Sequence, residues 1–171
     1  EEYELMATYC AEKIEQSLTF YPREQFPLYA SVQLGMADNY DMCSCDECTK
    51  VKNKHNGAIV ATIIPFLKTV ARKVNEWMEL PENADYKREN FQYTFFAYQD
   101  TLEAPFAYDE SNGKYVAADN SVLPEEVNIV PYFALNKIDH ALSIYDEKNT
   151  NMRETLNAWL TFYKNTWGWI Y

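Results

Sequence analysis

Four acidic side chains follow apolar segments of the chain, where a carboxylate is placed for acid and base chemistry. They are Asp38, Asp100, Glu103 and Asp139. Hydrolysis of a glycosidic bond needs one acid to protonate the leaving oxygen and a second group to stabilise or attack the anomeric carbon. Asp38 is the strongest candidate, because its neighbours Ala37 and Asn39 carry no charge. We predict that Asp38 and Asp139 are catalytic; the alternative is that they are solvated or cap helices.

Three cysteines form a Cys-x-Cys-x-x-Cys motif shortly after Asp38. They are Cys43, Cys45 and Cys48. Three thiolates are a partial ligand set for tetrahedral zinc, and His55 or Cys10 could supply the fourth ligand. A disulfide within the motif or to Cys10, or free thiols, are the alternatives. In each case the predicted role is to brace the loop after Asp38, with a structural zinc as the candidate ion and no cofactor expected for catalysis.

Neither Cys10 nor His55 needs a metal-binding role to explain its position in the sequence. Cys10 lies on the apolar stripe of a predicted helix, where a cysteine is typically a small buried hydrophobic residue. His55 follows Lys54 in a polar segment, and we expect its side chain to be exposed.

Aromatic and polar side chains near the predicted strand ends form the candidate substrate-binding set. The set is Asn39, Tyr98, Gln99, Asp100, Tyr108, His140 and Trp169. An aromatic ring matches the flat apolar face of a pyranose, whereas amides, carboxylates and His140 can bind its hydroxyl groups. The chain has 14 Tyr, 9 Phe and 4 Trp, so packing in a core is the alternative for each ring.

Composition excludes several classes of function. The formal charge of −11, without a cluster of Lys and Arg, argues against nucleic-acid or anionic-membrane partners. The longest charge-free apolar run, residues 56–67, is shorter than the roughly 20 residues that span a bilayer. With 4 Gly in total the chain has no glycine-rich phosphate loop, which argues against nucleotide enzymes.

Periodicity predicts an alternation of helices and strands. Apolar residues at helical spacing predict helices over 2–18 and 57–78, the second kinked at Pro65, and a third that begins at Thr150 or Asn151. Short apolar runs predict strands over 28–34, 91–98, 127–134 and 167–171, with 91–98 covered on both faces, and Asn112-Gly113 predicts a hairpin near 106–117 that projects from the rim.

This order predicts an α/β fold of parallel strands, either about half of a (β/α)8 barrel or a small open sheet. Sites in both architectures lie beyond the carboxyl ends of the strands, so Asp38, Asn39, Asp100, Asp139 and His140 are expected on one side. Residues 1–171 are interpreted as a single domain. Because the sequence begins within a predicted helix and ends within a predicted strand, we expect it to be a fragment of a larger barrel protein.

Several of these stretches together resemble the family called domain of unknown function 4838. They are Asp38-Asn39 before the cysteine motif, the helix after it, residues 96–101 with Pro105 beyond, and residues 139–142. The resemblance covers residues 32–171 and implies a glycoside-hydrolase-like TIM barrel, some members of the family being endo-β-N-acetylglucosaminidases that act on N-glycans. It implies substrate contacts for Asp38 and Asn39, a pocket lined by Tyr98 and Gln99, and an extracellular, periplasmic or cell-surface location.

Two positions depart from that family pattern. The sequence has Leu135-Asn136 where an acidic residue is expected after the third strand, and Ile170 where the last strand usually carries Asp. Either change could remove a carboxylate from the site. The expectation is therefore a glycosidase acting on amino-sugar-containing glycans; the alternatives are a catalytically silent carbohydrate-binding or scaffold domain, and a piece that self-associates through its open sheet edges.

Overall fold

The computed structural model describes residues 2–35, 42–124 and 127–170. Within them the helices are α1 (Glu2–Phe20), α2 (Asp46–Lys54), α3 (Ile64–Met78) and α4 (Thr150–Phe162). The strands are β1 (Ser31–Gln33), β2 (Gln92–Ala97), β3 (Phe106–Asp109), β4 (Lys114–Ala117), β5 (Ile129–Ala134) and β6 (Trp167–Trp169). None of these helices is long and apolar enough to cross a membrane.

The strands form two sheets. The larger sheet has the order β1-β2-β5-β6, and each neighbouring pair is parallel. The strands β3 and β4 form the predicted antiparallel hairpin, with Tyr108 opposite Tyr115. The predicted α/β class with parallel strands is confirmed, and the four strands of the large sheet are neighbours in the order in which they occur along the chain.

One apolar core joins three helices to one face of the large sheet. Helix α1 packs on α3 through residues that include Ile14 and Leu18, both buried. On β2 the buried Tyr93 donates a hydrogen bond from its hydroxyl to Asn75 Oδ1 of α3 (2.7 Å), and Phe95 packs edge-on against Trp159 of α4. The regular spacing of apolar residues in these elements is what made them predictable from sequence.

The second face of the large sheet is only partly covered by the described residues. Phe96 of β2 and Tyr132 of β5 point to this face and are half-buried. The expectation that residues 91–98 are covered on both faces holds for the helix side and for Thr94 on the second face, which is buried, whereas Phe96 on that face is half-buried beneath Trp169.

Two local predictions about the segment 46–78 need correction. Pro65 lies in the first turn of α3, where a proline N–H is not needed, so it begins the helix instead of kinking it. The residues before it form a separate short 3-10 turn, Ile59–Thr62. Helix α2 was not predicted because it has no buried residue and hence no apolar stripe; acidic residues in its first turn and lysines in its last turn suit the helix dipole.

Candidate functional site

A short 3-10 turn, Gln99–Thr101, follows β2 at the carboxyl edge of the large sheet. The Thr101 hydroxyl donates to the carbonyls of Phe96 and Tyr98, both at 2.8 Å, and thereby fixes the turn to the strand end. Gln99 has a φ of 50°, a left-handed conformation that is unfavourable for a residue with a Cβ. Backbone strain of this kind is found mostly where the surrounding structure holds a side chain for a function.

Four half-buried aromatic rings lie beside this turn, and we call them the aromatic platform. They are Phe96, Tyr98, Tyr132 and Trp169. The Trp169 ring stacks on Phe96 (centroids 4.4 Å apart, planes at 28°) and on Tyr132 (6.0 Å, 15°). The Tyr98 ring lies 6.3 Å from Trp169. The structure thus brings together two predicted binding residues, Tyr98 and Trp169, next to Gln99.

Phe96 and Tyr132 were not among the predicted binding residues. They are directly opposite each other in the parallel register of β2 and β5. The sequence places each of them in a predicted strand. It does not reveal the register of the two strands, and therefore not that the two rings are neighbours.

The three clustered cysteines are close enough to bind one metal ion. Their sulfur atoms all lie within 4.8 Å of one another, with Cys43 and Cys45 exposed and Cys48 partly exposed. Cys45 is the N-cap residue of α2 and Cys48 lies in its first turn. All four cysteines are free, and Cys10 is partly buried at the edge of the apolar core, whereas the expectation from sequence was a buried side chain.

Hydrogen bonds within this cluster shift the pKa values of Cys45 and Cys48 in opposite directions. The side chain of Cys45 makes no capping hydrogen bond of ordinary geometry. Its sulfur nevertheless faces the Cys48 N–H and the thiols of Cys43 and Cys48, which lower the pKa of Cys45. The same thiol contacts, first with Cys43 and then with Cys45, raise the pKa of Cys48 to about 12.

His55 is buried, and the expectation that it is exposed is wrong. Its side chain is 2% exposed, Nδ1 has no hydrogen-bond partner, and Nε2 lies 3.8 Å from Asp119 Oδ2. Lys54 donates a hydrogen bond to the same carboxylate, which lowers the pKa of Asp119 far below its usual range. Burial lowers the pKa of His55. His55 is not part of the cysteine cluster, so it does not supply the fourth ligand considered from sequence.

The cysteine loop and the turn after β2 line one cavity of about 310 Å³, which we call the shared cavity. Its lining includes Cys43, Ser44, Lys52, Asn53, Asp100 and Glu103. Asp100 was predicted as a binding residue, and it lines the same cavity as Cys43. Carboxylate, amide, ammonium and thiol groups around such a space suit a polar ligand or a cation.

Asp139 and His140 are exposed in the loop after β5. The Asp139 carboxylate accepts a hydrogen bond from the Ala141 N–H (3.1 Å), and its backbone N–H donates to Asn149 Oδ1 (2.8 Å). The buried Asn149 side chain also donates to the Asp139 carbonyl (3.2 Å). In this arrangement the Asp139 carboxylate stabilises a turn, which is the simpler of the two explanations considered from sequence.

Tyr108 lies on the hairpin and is exposed, with its ring 5.2 Å from that of Tyr115. The Tyr115 hydroxyl donates to the Glu154 carbonyl of α4 (3.1 Å), and Phe106 packs on Phe162 with centroids 4.3 Å apart. The hairpin therefore packs against α4. The expectation that it projects from the same rim as Asp38 involves a residue outside the described part of the chain and stays a prediction.

Asp38 and Asn39 lie outside the described residues, so their predicted roles stay predictions. Comparison of the chain with protein-family models, with curated proteins and with solved structures finds no match in any of the three.

Proposed function

We propose that the chain is part of a (β/α)8 barrel that binds and cleaves amino-sugar-containing glycans, as an endo-β-N-acetylglucosaminidase does. Support for the barrel is the sheet order β1-β2-β5-β6, in which strands are neighbours in chain order. A doubly wound sheet reverses its strand order at a switch point, whereas a barrel keeps adding strands in one direction. The helices α3 and α4 pack on the same face of the sheet, which would be the outside of the barrel.

The single observation that carries the glycan proposal is the aromatic platform beside the Gln99–Thr101 turn. Half-buried rings offer a flat apolar surface, and the amide of Gln99 offers a donor and an acceptor for hydroxyl or acetamido groups. Small-molecule sites commonly combine apolar walls with a few fixed polar groups. In this proposal Trp169 and Tyr98 stack on the sugar, and Asn39, Tyr108 and His140 contact its outer parts.

The proposed chemistry uses Asp38 and Asp139. In a substrate-assisted mechanism one carboxylate orients the acetamido group, and a neighbouring acid protonates the leaving oxygen. A protein with this activity would act outside the cytoplasm, where N-glycans are exposed. This location and the activity are parts of one proposal.

A silent carbohydrate-binding domain is the second candidate, and two observations favour it. The Asp139 carboxylate already accepts a hydrogen bond in its own turn. Leu135, where the family pattern has an acid, is half-buried, and its Cδ1 lies 3.6 Å from where a Cβ on Gly168 would be. Self-association through the edges of β1 and β6 would be a further property of such a domain.

We also propose that the ion held by the cysteine cluster is zinc. Thiolates are ordinary zinc ligands, and a structural zinc would tie the cysteine loop to the start of α2. In this role the ion would fix the loop that follows Asp38 and take no part in bond cleavage.

The glycosidase and the silent carbohydrate-binding domain can be distinguished by incubating the protein with N-glycans and chitooligosaccharides and analysing the products by mass spectrometry. The enzyme proposal predicts released oligosaccharides for the wild type and none for Asp38→Asn. Binding without products in both proteins would support the silent domain. Equal cleavage by wild type and Asp38→Asn would contradict the role of Asp38.

A further inference from the structure

One residue of the cysteine cluster, Cys43, lines the shared cavity together with the adjacent Ser44. Asp100 and Glu103, at the turn after β2, line the same cavity. Two parts of the chain that are nearly sixty residues apart in sequence therefore meet at one polar space. A metal ion at the cysteines would lie at the edge of this space.

The cluster is one ligand short of a tetrahedral set. Among the residues that the structure describes, the group of ligand atoms within 4.8 Å of one another contains Cys43, Cys45 and Cys48 alone. Structural zinc is almost always four-coordinate. Cys10 packs at the core and His55 is buried beside Asp119, so neither is placed to complete the set. Within the part of the chain that the structure describes, the fourth ligand would be solvent or a side chain that turns toward the sulfur atoms.

Two of the described carboxylate side chains, Asp100 and Glu103, line the shared cavity together with Cys43. Glu103 is exposed and also lines a second cavity with Asn56 and Phe106, so it lies between two spaces. Asp100 is half-buried and belongs to the turn that Thr101 fixes to the end of β2. A carboxylate oxygen is an established zinc ligand. Asp100 is thus the better candidate of the two.

We propose that Asp100 supplies the fourth ligand of an ion held by Cys43, Cys45 and Cys48. This inference rests on the zinc proposal and gives Asp100 a role different from the substrate contact predicted from sequence. The ion then joins the cysteine loop to the turn that carries Gln99. Occupancy of the metal site would position the Gln99 side chain beside the aromatic platform.

Cobalt(II) substitution tests the ligand set directly, because thiolate-to-cobalt charge-transfer absorption reports the sulfur ligands and the visible bands report the whole coordination sphere. The purified apoprotein is titrated with cobalt(II), and zinc affinity is then measured by competition with a chromogenic chelator. The variants are Cys48→Ser, Asp100→Asn, Glu103→Gln and Cys10→Ser. Far-ultraviolet circular dichroism of each apoprotein checks that it is folded.

The wild type is expected to bind one ion with thiolate charge-transfer bands. Asp100→Asn is expected to keep most of the charge-transfer intensity, to shift the visible bands and to weaken zinc binding by at least about tenfold, since even indirect partners of metal ligands are worth about 10–100-fold. Cys48→Ser is expected to lose charge-transfer intensity as well. Glu103→Gln and Cys10→Ser are the matched carboxylate and thiol controls, and both are expected to behave as the wild type.

The possible failures are distinguishable. Wild-type protein that binds neither cobalt(II) nor zinc overturns both the zinc proposal and this inference. Unchanged bands and affinity in Asp100→Asn, with loss of binding in Cys48→Ser, overturn only the assignment of Asp100. A larger effect in Glu103→Gln than in Asp100→Asn transfers the role to Glu103 and also overturns the assignment.

Discussion

Replacing Gln99 by glycine should stabilise the protein while removing a side chain from the proposed glycan site. Gln99 has a φ of 50°, and the left-handed conformation costs a residue with a Cβ roughly 1–2 kcal/mol. Glycine adopts it freely, but its greater freedom in the unfolded chain costs about 0.5–1 kcal/mol. The difference predicts a net stabilisation between about 0 and 1.5 kcal/mol for Gln99→Gly, because Gln99 is only half-buried and little packing is lost.

The assay is urea or thermal unfolding of three proteins, the wild type, Gln99→Gly and Gln92→Gly. For a domain of this size a change of 1 kcal/mol shifts Tm by about 2–4 °C. Gln92 is also half-buried but is the first residue of β2, so the same substitution there should destabilise by about 0.5–1 kcal/mol. Equal destabilisation by the two substitutions would refute the argument that the turn strains Gln99.

Three further predictions concern stability. Trp159→Phe removes the indole N–H that donates to the Leu102 carbonyl (2.8 Å) and leaves that carbonyl unpaired in a buried site. We therefore expect urea unfolding to show a free energy of unfolding lower by about 1–3 kcal/mol. A loss below about 0.5 kcal/mol would contradict this. Burial lowers the pKa of His55, so the unfolded state takes up a proton first, and the free energy of unfolding should fall as pH drops through about 6.5. His55→Gln should flatten the plot of this free energy against pH between about pH 7 and 5. An unchanged slope in the variant would show that His55 is not responsible. Asp119→Asn breaks the ion pair with Lys54, but both side chains are partly exposed, so at pH 7 it should cost less than about 1 kcal/mol. Because the pKa of Asp119 is lowered far below its usual range in the folded state, the difference from wild type should begin to shrink below about pH 4 and vanish only at much lower pH; a loss above about 2 kcal/mol at pH 7 would contradict this.

Elements with an apolar stripe or an apolar run were predictable from sequence. The stripe of α3 and the runs of β2 and β5 identified the core because burial requires apolar residues at the period of the element. Helix α2 has no buried face, so its formation depends on charges at its ends, which periodicity does not detect. Pro65 was assigned to a kink because the sequence did not show where the helix begins.

The candidate site was predictable only in part. Tyr98, Gln99 and Trp169 were identifiable because they stand at strand ends, where parallel sheets place their sites. The platform also needs Phe96 and Tyr132, which depend on strand register, a property of long-range pairing. His55 looked exposed because its sequence neighbours are polar, whereas in the folded chain it is buried, with Nε2 near Asp119 of a distant segment.

Calorimetric titration with a chitooligosaccharide series most directly tests the claim that the aromatic platform binds a glycan. The proteins to compare are the wild type, Trp169→Ala and Tyr9→Ala, the last removing an exposed aromatic side chain from α1. We predict saturable binding by the wild type and Tyr9→Ala, and an affinity lowered at least about tenfold in Trp169→Ala, which corresponds to about 1.4 kcal/mol. Binding by Trp169→Ala with wild-type affinity, in a protein that circular dichroism shows to be folded, would contradict the account, as would the absence of binding by the wild type.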